Sequence, residues 1–229
     1  MKRIRKVARI TSVIVAAILT ALVITVLCGP KEDRTALTEM MGGLSDQEEP
    51  ARQIDWDSLP AEVIAWVEVP GTNIDEPIVQ ASPESPNAYL YKDVFNKGGY
   101  GTPYIDYECS LDSRFVMVYG HHMSDGTAFA EFADFIDEGF ARDHNRIIVY
   151  RRSGETLELA ACAVDVVNAS QERLVIDQEE DFGQMVAWSD LQLLDVSETG
   201  QLFAFATCSY QSRNSRTIVY ALDTLAIRT

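Results

Sequence analysis

Short segments of strand-forming residues, each bounded by turn residues, run through most of this chain, and they limit its fold more than any other feature. They lie near residues 65–69, 77–80, 102–106, 114–119, 146–151, 156–167, 202–207 and 216–222. Eight short strands within a region of one-domain length predict a β-barrel or a β-sandwich.

Three other segments have helical patterns. Residues 57–65 predict a short helix before the first strand. Residues 127–138 carry apolar residues three and four apart, which indicates a core-facing stripe formed by Phe129, Phe132, Phe135 and Ile136. Residues 177–194 open with Asp177 and Glu180 in the pattern of a capping box and continue with an apolar face that includes Trp188. We expect a helix in each segment.

The last two strands predict a hairpin that joins a thiol to a guanidinium. Cys208 ends the apolar run 202–207, and Arg216 opens the run 217–221. In an antiparallel hairpin position 208 lies opposite 216, 206 opposite 218 and 204 opposite 220, so Cys208 and Arg216 share one face. A nearby positive charge favours the thiolate, and Arg is a permanent donor to an oxyanion. The pair is a candidate acyl-transfer site.

The acid or base of such a site must come from one of three histidines. His121 and His122 follow Gly120 at the carboxyl end of a buried strand, where loops usually carry chemistry. His144 lies in a polar stretch typical of a surface turn. Spacing alone cannot bring residues 121 and 208 together.

Several separated motifs resemble those of the sortases, and more closely those of class B sortases. The segment Tyr119-Gly120-His121-His122-Met123 is similar to the family's Y-G-H-N/H-M, and Ala206-Thr207-Cys208-Ser209-Tyr210 is similar to its T-C-x-Y. Arg216 matches the arginine that precedes the family's final strand. Residues 54–57 and 65–74 are similar to the entry helix and first strand of class B members. The resemblance covers residues 54–229, although the chain has Phe205-Ala206 where the family usually has Leu-Ser or Leu-Thr.

The resemblance implies a fold and roles for three residues. The fold is a mostly β, closed eight-stranded barrel with an N-terminal helix and a helix inserted before the cysteine-bearing strand. Cys208 is implied as the nucleophile, His121 as the catalytic histidine and Arg216 as the oxyanion donor. His122 lies where the family often has asparagine, and Arg213 competes with Arg216 but lacks the following strand. No cofactor is expected.

The implied reaction is transpeptidation through a thioester. Cys208 attacks the threonine carbonyl of a C-terminal sorting signal of the N-P-x-T type, carried by a surface protein or a pilin. An amine of a peptidoglycan precursor, or a pilin lysine, then takes the acyl group. Two alternatives stay open: an L,D-transpeptidase-like cell-wall enzyme, whose His-Gly-Cys segment the chain lacks, and a non-catalytic membrane-tethered binding domain.

The amino terminus predicts a membrane anchor. Residues 10–28 contain no charged residue, and this segment is long enough to cross a bilayer as a helix. The basic segment 1–9 precedes it. The positive-inside rule then leaves the amino terminus in the cytoplasm, residues 29–53 as an extracellular stalk and residues 54–229 as an extracellular catalytic domain. A cleaved signal peptide is the rival, but the small residues of a cleavage site are missing.

The net charge of the chain limits the class of partner that it can bind. Five of the 19 basic residues lie in residues 1–9, which leaves 14 against 35 acidic residues in the rest of the chain. Bulk charge therefore argues against nucleic acid as a partner.

Cys109 and Cys162 would form a disulfide only if the fold brings them together. A calcium site among the acidic residues 177–181 is a weaker idea, because carboxylates commonly start a helix. A set of tyrosines would line a groove only if turns gather them: Tyr89, Tyr91, Tyr100, Tyr104 and Tyr107.

Overall fold

A computed structural model describes residues 52–96, 100–172, 174–175, 177–194, 196, 200–209 and 214–223. The predicted cytoplasmic segment 1–9, the predicted anchor 10–28 and nearly all of the predicted stalk 29–53 lie outside the described residues, as do residues 224–229 of the predicted catalytic domain. In the described part of the chain, no helix has both the length and the apolar character needed to cross a bilayer.

The described residues contain nine strands. They are β1 (Val63–Glu68), β2 (Asp75–Gln80), β3 (Tyr104–Ile105), β4 (Phe115–Gly120), β5 (Arg146–Arg151), β6 (Thr156–Asn168), β7 (Leu191–Gln192), β8 (Leu202–Cys208) and β9 (Ser215–Asp223). The helical segments are α1 (Ala88–Tyr91), α2 (Glu138–Asp143), α3 (Phe182–Ala187) and two 3₁₀ helices, Trp56–Ser58 and Ala130–Ile136.

The strands form one sheet that closes on itself. Its order is β5-β1-β2-β3-β4-β8-β9-β6-β7, and β5 also pairs with β6. Eight strands therefore make a ring, and the two-residue β7 extends from β6 outside it. This confirms the predicted closed eight-stranded barrel. The pairs β2–β3 and β4–β8 are parallel, and all other pairs are antiparallel.

Strand β8, which ends in Cys208, lies in the most deeply buried part of the sheet. Every residue from Leu202 to Thr207 is buried, which requires cover on both faces. One cover is the longer 3₁₀ helix, because Phe132 stacks on Phe205 with ring centroids 5.1 Å apart. The end of this strand is therefore held in a rigid surrounding.

The predicted helix at residues 57–65 is wrong. The structure has only the 3₁₀ helix Trp56–Ser58, and β1 already begins at Val63. Pro60 lies in the middle of the predicted helix, where its missing N–H and its ring would break the helix. The residues of β1 are alternately buried and partly exposed, and β1 pairs with both β2 and β5. The expected N-terminal helix is thus reduced to three residues.

The helix predicted at residues 127–138 is present but tighter than expected. It forms the 3₁₀ helix Ala130–Ile136, and α2 follows it. A 3₁₀ helix has three residues per turn, so residues exactly three apart line one face. Phe129, Phe132 and Phe135 are fully buried in this way, whereas Ile136 is 39% exposed and lies outside the stripe.

The helix predicted at residues 177–194 is much shorter in the structure. Only α3 forms, its N-cap is Asp181 rather than Asp177, and the residues after it enter β7. After α3, the Asp190 N–H donates to the Asp165 carboxylate of β6 at 2.8 Å, which holds the residues that follow the helix against the sheet. Trp188, expected on the buried face, is 77% exposed.

The two remaining thiols of the barrel do not form a disulfide. Cys109 and Cys162 are both free and buried. The Cys162 Sγ lies 3.3 Å from the carbonyl oxygen of Tyr220, and burial raises the pKa of Cys162 to about 12 and that of Cys109 to about 11. Both therefore stay protonated at neutral pH.

Candidate active site

The hairpin of β8 and β9 places the predicted thiol and guanidinium side by side. Cys208 pairs with Arg216, Ala206 with Ile218 and Ala204 with Tyr220, which confirms the register predicted for an antiparallel hairpin. The Arg216 guanidinium is oriented by its own neighbours, since Nη1 donates to the Ser215 carbonyl at 3.0 Å and to Asn214 Oδ1 at 3.3 Å. The competing Arg213 lies outside the described residues.

The parallel pairing of β4 with β8 brings the histidine to the cysteine. Tyr119 pairs with Ala206 and Gly120 with Thr207, so His121 and Cys208 are the next residues along two adjacent strands that run in the same direction. Both leave the sheet at the same edge. The structure therefore unites two sequence segments that spacing could not relate.

The His121 ring is held by a backbone carbonyl. Its Nε2 lies 2.5 Å from the carbonyl oxygen of Leu90, at α1. A carbonyl oxygen can only accept, so the proton of the neutral ring is assigned to Nε2 and Nδ1 is left to exchange a proton. This contact was not predicted, because a backbone carbonyl has no signature in the sequence.

His122 contacts Cys208 from the backbone side. Its Nδ1 lies 2.8 Å from the carbonyl oxygen of Cys208, to which it donates. The ring thus touches the main chain of the cysteine. This agrees with the expectation that His122 is a neighbour of the catalytic histidine, and adds a contact that the sequence did not reveal.

Gly120 allows the strand to end where it does. A Cβ atom at this position would lie 2.3 Å from ring carbons of Phe129, which is fully buried. The Phe129 N–H also donates to the carbonyl oxygen of His121 at 2.9 Å. Phe129 therefore packs directly against the backbone that carries the histidine.

The three predicted catalytic residues line one cleft of about 440 Å³. Cys208, His121 and Arg216 are each partly exposed, so a substrate has access to them. Three of the five tyrosines considered above also line this cleft, namely Tyr89, Tyr91 and Tyr104, and they are joined by Tyr119. Tyr100 and Tyr107 do not line it.

Phenol groups and one carboxylate surround the cationic Arg216. Burial and the Asp106 carboxylate raise the pKa of Tyr104, and Arg216 partly opposes this shift. Burial and Asp106 also raise the pKa of Tyr119, whose ring lies 5.4 Å from that of Tyr104. Both phenols therefore stay protonated at neutral pH and leave Arg216 without an anionic tyrosine beside it.

His144 lies away from this cleft. It follows α2, its ring packs on Phe140 with centroids 4.4 Å apart, and its Nδ1 lies 3.2 Å from the Pro70 carbonyl oxygen. It lies in a turn, as the sequence predicted, and its side chain is partly buried.

Comparison with known proteins identifies the family. The sortase domain family matches residues 67–224. Sortase B of Listeria monocytogenes is 31% identical over 94 residues, and this match spans 39% of the chain but only 37% of that relative's length.

Solved structures show the same relationship. Clostridium perfringens sortase B is 26% identical, with a TM-score of 0.59 over 71% of this chain and 93% of that structure. Spy0129 of Streptococcus pyogenes, described as a class B sortase involved in pilus biogenesis, has a TM-score of 0.61 at 24% identity over 73% of this chain and 97% of that structure, and shows the fold alone. The matches confirm the predicted likeness to class B members. The chain belongs to the sortase family of cysteine transpeptidases.

Proposed function

We propose that this chain cleaves a Thr–X bond in a C-terminal sorting signal and transfers the acyl group to an amine. The observation that carries the proposal is the meeting of Cys208, His121 and Arg216 in one cleft, at the ends of β4 and β8 and the start of β9. Membership of the sortase family supports this proposal and favours it over an L,D-transpeptidase-like enzyme.

The first half-reaction forms a thioester. His121 Nδ1 takes the proton of the Cys208 thiol, so the ring becomes an imidazolium. The Cys208 thiolate attacks the threonine carbonyl carbon, and the electron pair of the carbonyl moves to oxygen, where the Arg216 guanidinium donates to the oxyanion. The oxyanion then collapses, the C–N bond breaks, and the leaving amine takes a proton from His121. Because Nε2 is bonded to Leu90, Nδ1 is the nitrogen that transfers this proton.

The second half-reaction forms a new amide bond. An incoming amine loses a proton to His121 and attacks the thioester carbonyl, and Cys208 leaves as thiolate. The acceptor we propose is a primary amine of a peptidoglycan precursor or of a pilin lysine. The donor we propose is a surface protein or pilin with an N-P-x-T type signal. We also propose that residues 10–28 anchor the protein in the cell membrane, with the amino terminus in the cytoplasm and the catalytic domain outside.

A ligation assay tests the transpeptidase. The full-length protein is incubated with an N-P-Q-T-N-type peptide and an oligoglycine amine, and both products are followed by mass spectrometry. We expect a ligated product that disappears in Cys208→Ala and persists in Cys162→Ala, which removes a buried thiol of β6 away from the cleft. Cleavage without ligation to any amine would refute the transferase and favour a hydrolase.

A labelling assay separates the enzyme from a non-catalytic binding domain. A small electrophile should modify Cys208 and leave the buried Cys109 and Cys162 intact. If His121 takes part in proton transfer with the thiol, His121→Ala should slow this modification near neutral pH. Equal labelling rates together with no turnover of sorting peptides would support the binding domain.

A further inference from the structure

The loop that carries the catalytic histidine is closed by backbone contacts between its two limbs. We define the histidine loop as residues 121–129. At its base the Phe129 N–H donates to the His121 carbonyl at 2.9 Å, and His122 and Ala128 form an isolated β-bridge. A displacement of the returning limb, residues 127–129, is therefore transmitted to His121 and His122.

The returning limb is held in a strained backbone conformation. Ala128 has a φ of +57°, in the left-handed region, and its side chain is fully buried. This conformation costs a non-glycine residue about 1–2 kcal/mol, so it persists only where surrounding groups hold it.

One carboxyl group on β2 holds this limb at two successive residues. Glu76 accepts a hydrogen bond from the Ala128 backbone N–H. It also accepts from the Tyr100 hydroxyl at 3.3 Å, and Tyr100 in turn hydrogen bonds with the side chain of Thr127. The cleft-lining residues do not include Glu76, so it acts on the site only through the loop.

The surroundings of Glu76 make its charge depend on pH near neutrality. Burial raises its pKa to about 7, the Tyr100 and Ala128 hydrogen bonds oppose this, and the Asp75 and Asp93 carboxylates add to it. Asp75 lies on the same strand, Asp93 follows α1, and Asp125 of the histidine loop acts on Tyr100. The register partner on β1 is the apolar Val67. A carboxylate accepts stronger hydrogen bonds than a neutral carboxyl group.

We propose that Glu76 is a positioning residue for His121, and that its ionised carboxylate holds the returning limb of the histidine loop in the active geometry. Protonation of Glu76 weakens the hold on Ala128 and Tyr100 and lets the loop relax. This proposal rests on the proposed transpeptidase function, because that function requires His121 to transfer a proton.

The Glu76→Gln variant tests this through a rate ratio. Glutamine keeps an acceptor oxygen for both donors but has no charge. The kcat of the wild-type protein is divided by that of the variant from about pH 5.5 to about pH 8.5, so that every pH dependence common to both proteins cancels. We expect a ratio near 1 at the acid end that rises to about tenfold at the alkaline end, with a midpoint near pH 7 and an unchanged donor KM.

Glu68→Gln is the matched control. Like Glu76, Glu68 on β1 accepts a hydrogen bond from a tyrosine hydroxyl, that of Tyr150 at 3.2 Å, and does not line the cleft. Its rate ratio should not vary with pH. A ratio for Glu76→Gln that is constant with pH, whatever its size, would overturn the proposal, because a purely structural effect has no reason to follow the ionisation of Glu76.

A second measurement does not require turnover. The chain has three histidines, so ¹³C-labelled histidine gives three ring signals, and His121→Gln assigns one of them. In the wild-type protein the His121 signal should show an inflection near pH 7, from the ionisation of Glu76, that is absent in Glu76→Gln. If no sorting peptide is ligated but this inflection is present, the proposed reaction fails while the positioning by Glu76 stands. If ligation occurs and the inflection is absent, the positioning fails.

Discussion

Gly101 packs against the backbone that holds His121, the histidine that we propose to be catalytic, and Gly101→Ala tests whether that backbone sets the activity. A Cβ atom at Gly101 would lie 2.5 Å from the Leu90 carbonyl oxygen and 2.7 Å from that of Tyr89. The Leu90 oxygen is the acceptor for His121 Nε2. The substitution therefore displaces the acceptor of the histidine without touching a catalytic side chain.

The structure sets the size of the displacement. Cβ atoms essentially never approach closer than 3.0 Å, so the Leu90 oxygen must move by at least 0.5 Å. A misplacement of about 1 Å costs about a hundredfold in rate, so we expect kcat/KM to fall by roughly 10- to 100-fold. Gly101 also has a φ of +92°, and alanine at such an angle should lower the free energy of unfolding by about 1–3 kcal/mol.

Gly154→Ala separates these two effects. Gly154 has a similar φ of +98°, but nothing lies within 4 Å of its Cβ position. It should lose comparable stability in urea denaturation and keep wild-type kcat/KM in the peptide ligation assay. The reasoning is refuted if Gly101→Ala is as active as Gly154→Ala, or if both lose activity equally.

Three further changes have defined outcomes. Thr217 and Thr207 face each other across β9 and β8, and their buried hydroxyls have no hydrogen-bond partner among the described residues, so Thr217→Val should raise the free energy of unfolding in urea by about 1 kcal/mol; a loss would show that this hydroxyl is satisfied in solution. Gly120→Ala should lower the free energy of unfolding by about 1–3 kcal/mol and remove ligation activity, because its methyl group overlaps the buried Phe129 ring. Gly200→Ala, whose methyl group meets open space, should keep both the wild-type stability in thermal unfolding and the wild-type ligation activity. The raised pKa of Glu76 favours its neutral form in the folded state, so the stability it contributes is complete below its ordinary value near 4.5 and is lost as pH rises to about 7. Glu76→Gln should therefore gain up to about 3 kcal/mol relative to wild type across that interval in urea titrations, and a constant difference would contradict the shift.

Most strands of the barrel could be predicted because each is a short run of strand-forming residues bounded by turn residues. The register of β8 and β9 could be predicted because two apolar runs joined by a short polar stretch form an antiparallel hairpin, in which position 208 lies opposite 216. The helical segments were harder. The spacing of Phe129, Phe132 and Phe135 fits both an α-helix and a 3₁₀ helix, and only packing against Phe205 decides between them. The residues after α3 are held by Asp165, which is remote in sequence.

The sequence by itself determined the strands, the closed barrel expected from the family motifs, and the pairing of Cys208 with Arg216, because each depends on neighbours in the chain or on a recognisable motif. Only the tertiary structure decided how the site is assembled. The parallel pairing of β4 with β8 sets His121 beside Cys208, and backbone groups that carry no residue-specific signal, such as the Leu90 carbonyl, orient its ring. Contacts between segments far apart in sequence become specific only when the barrel closes, because closure fixes which strand edges meet.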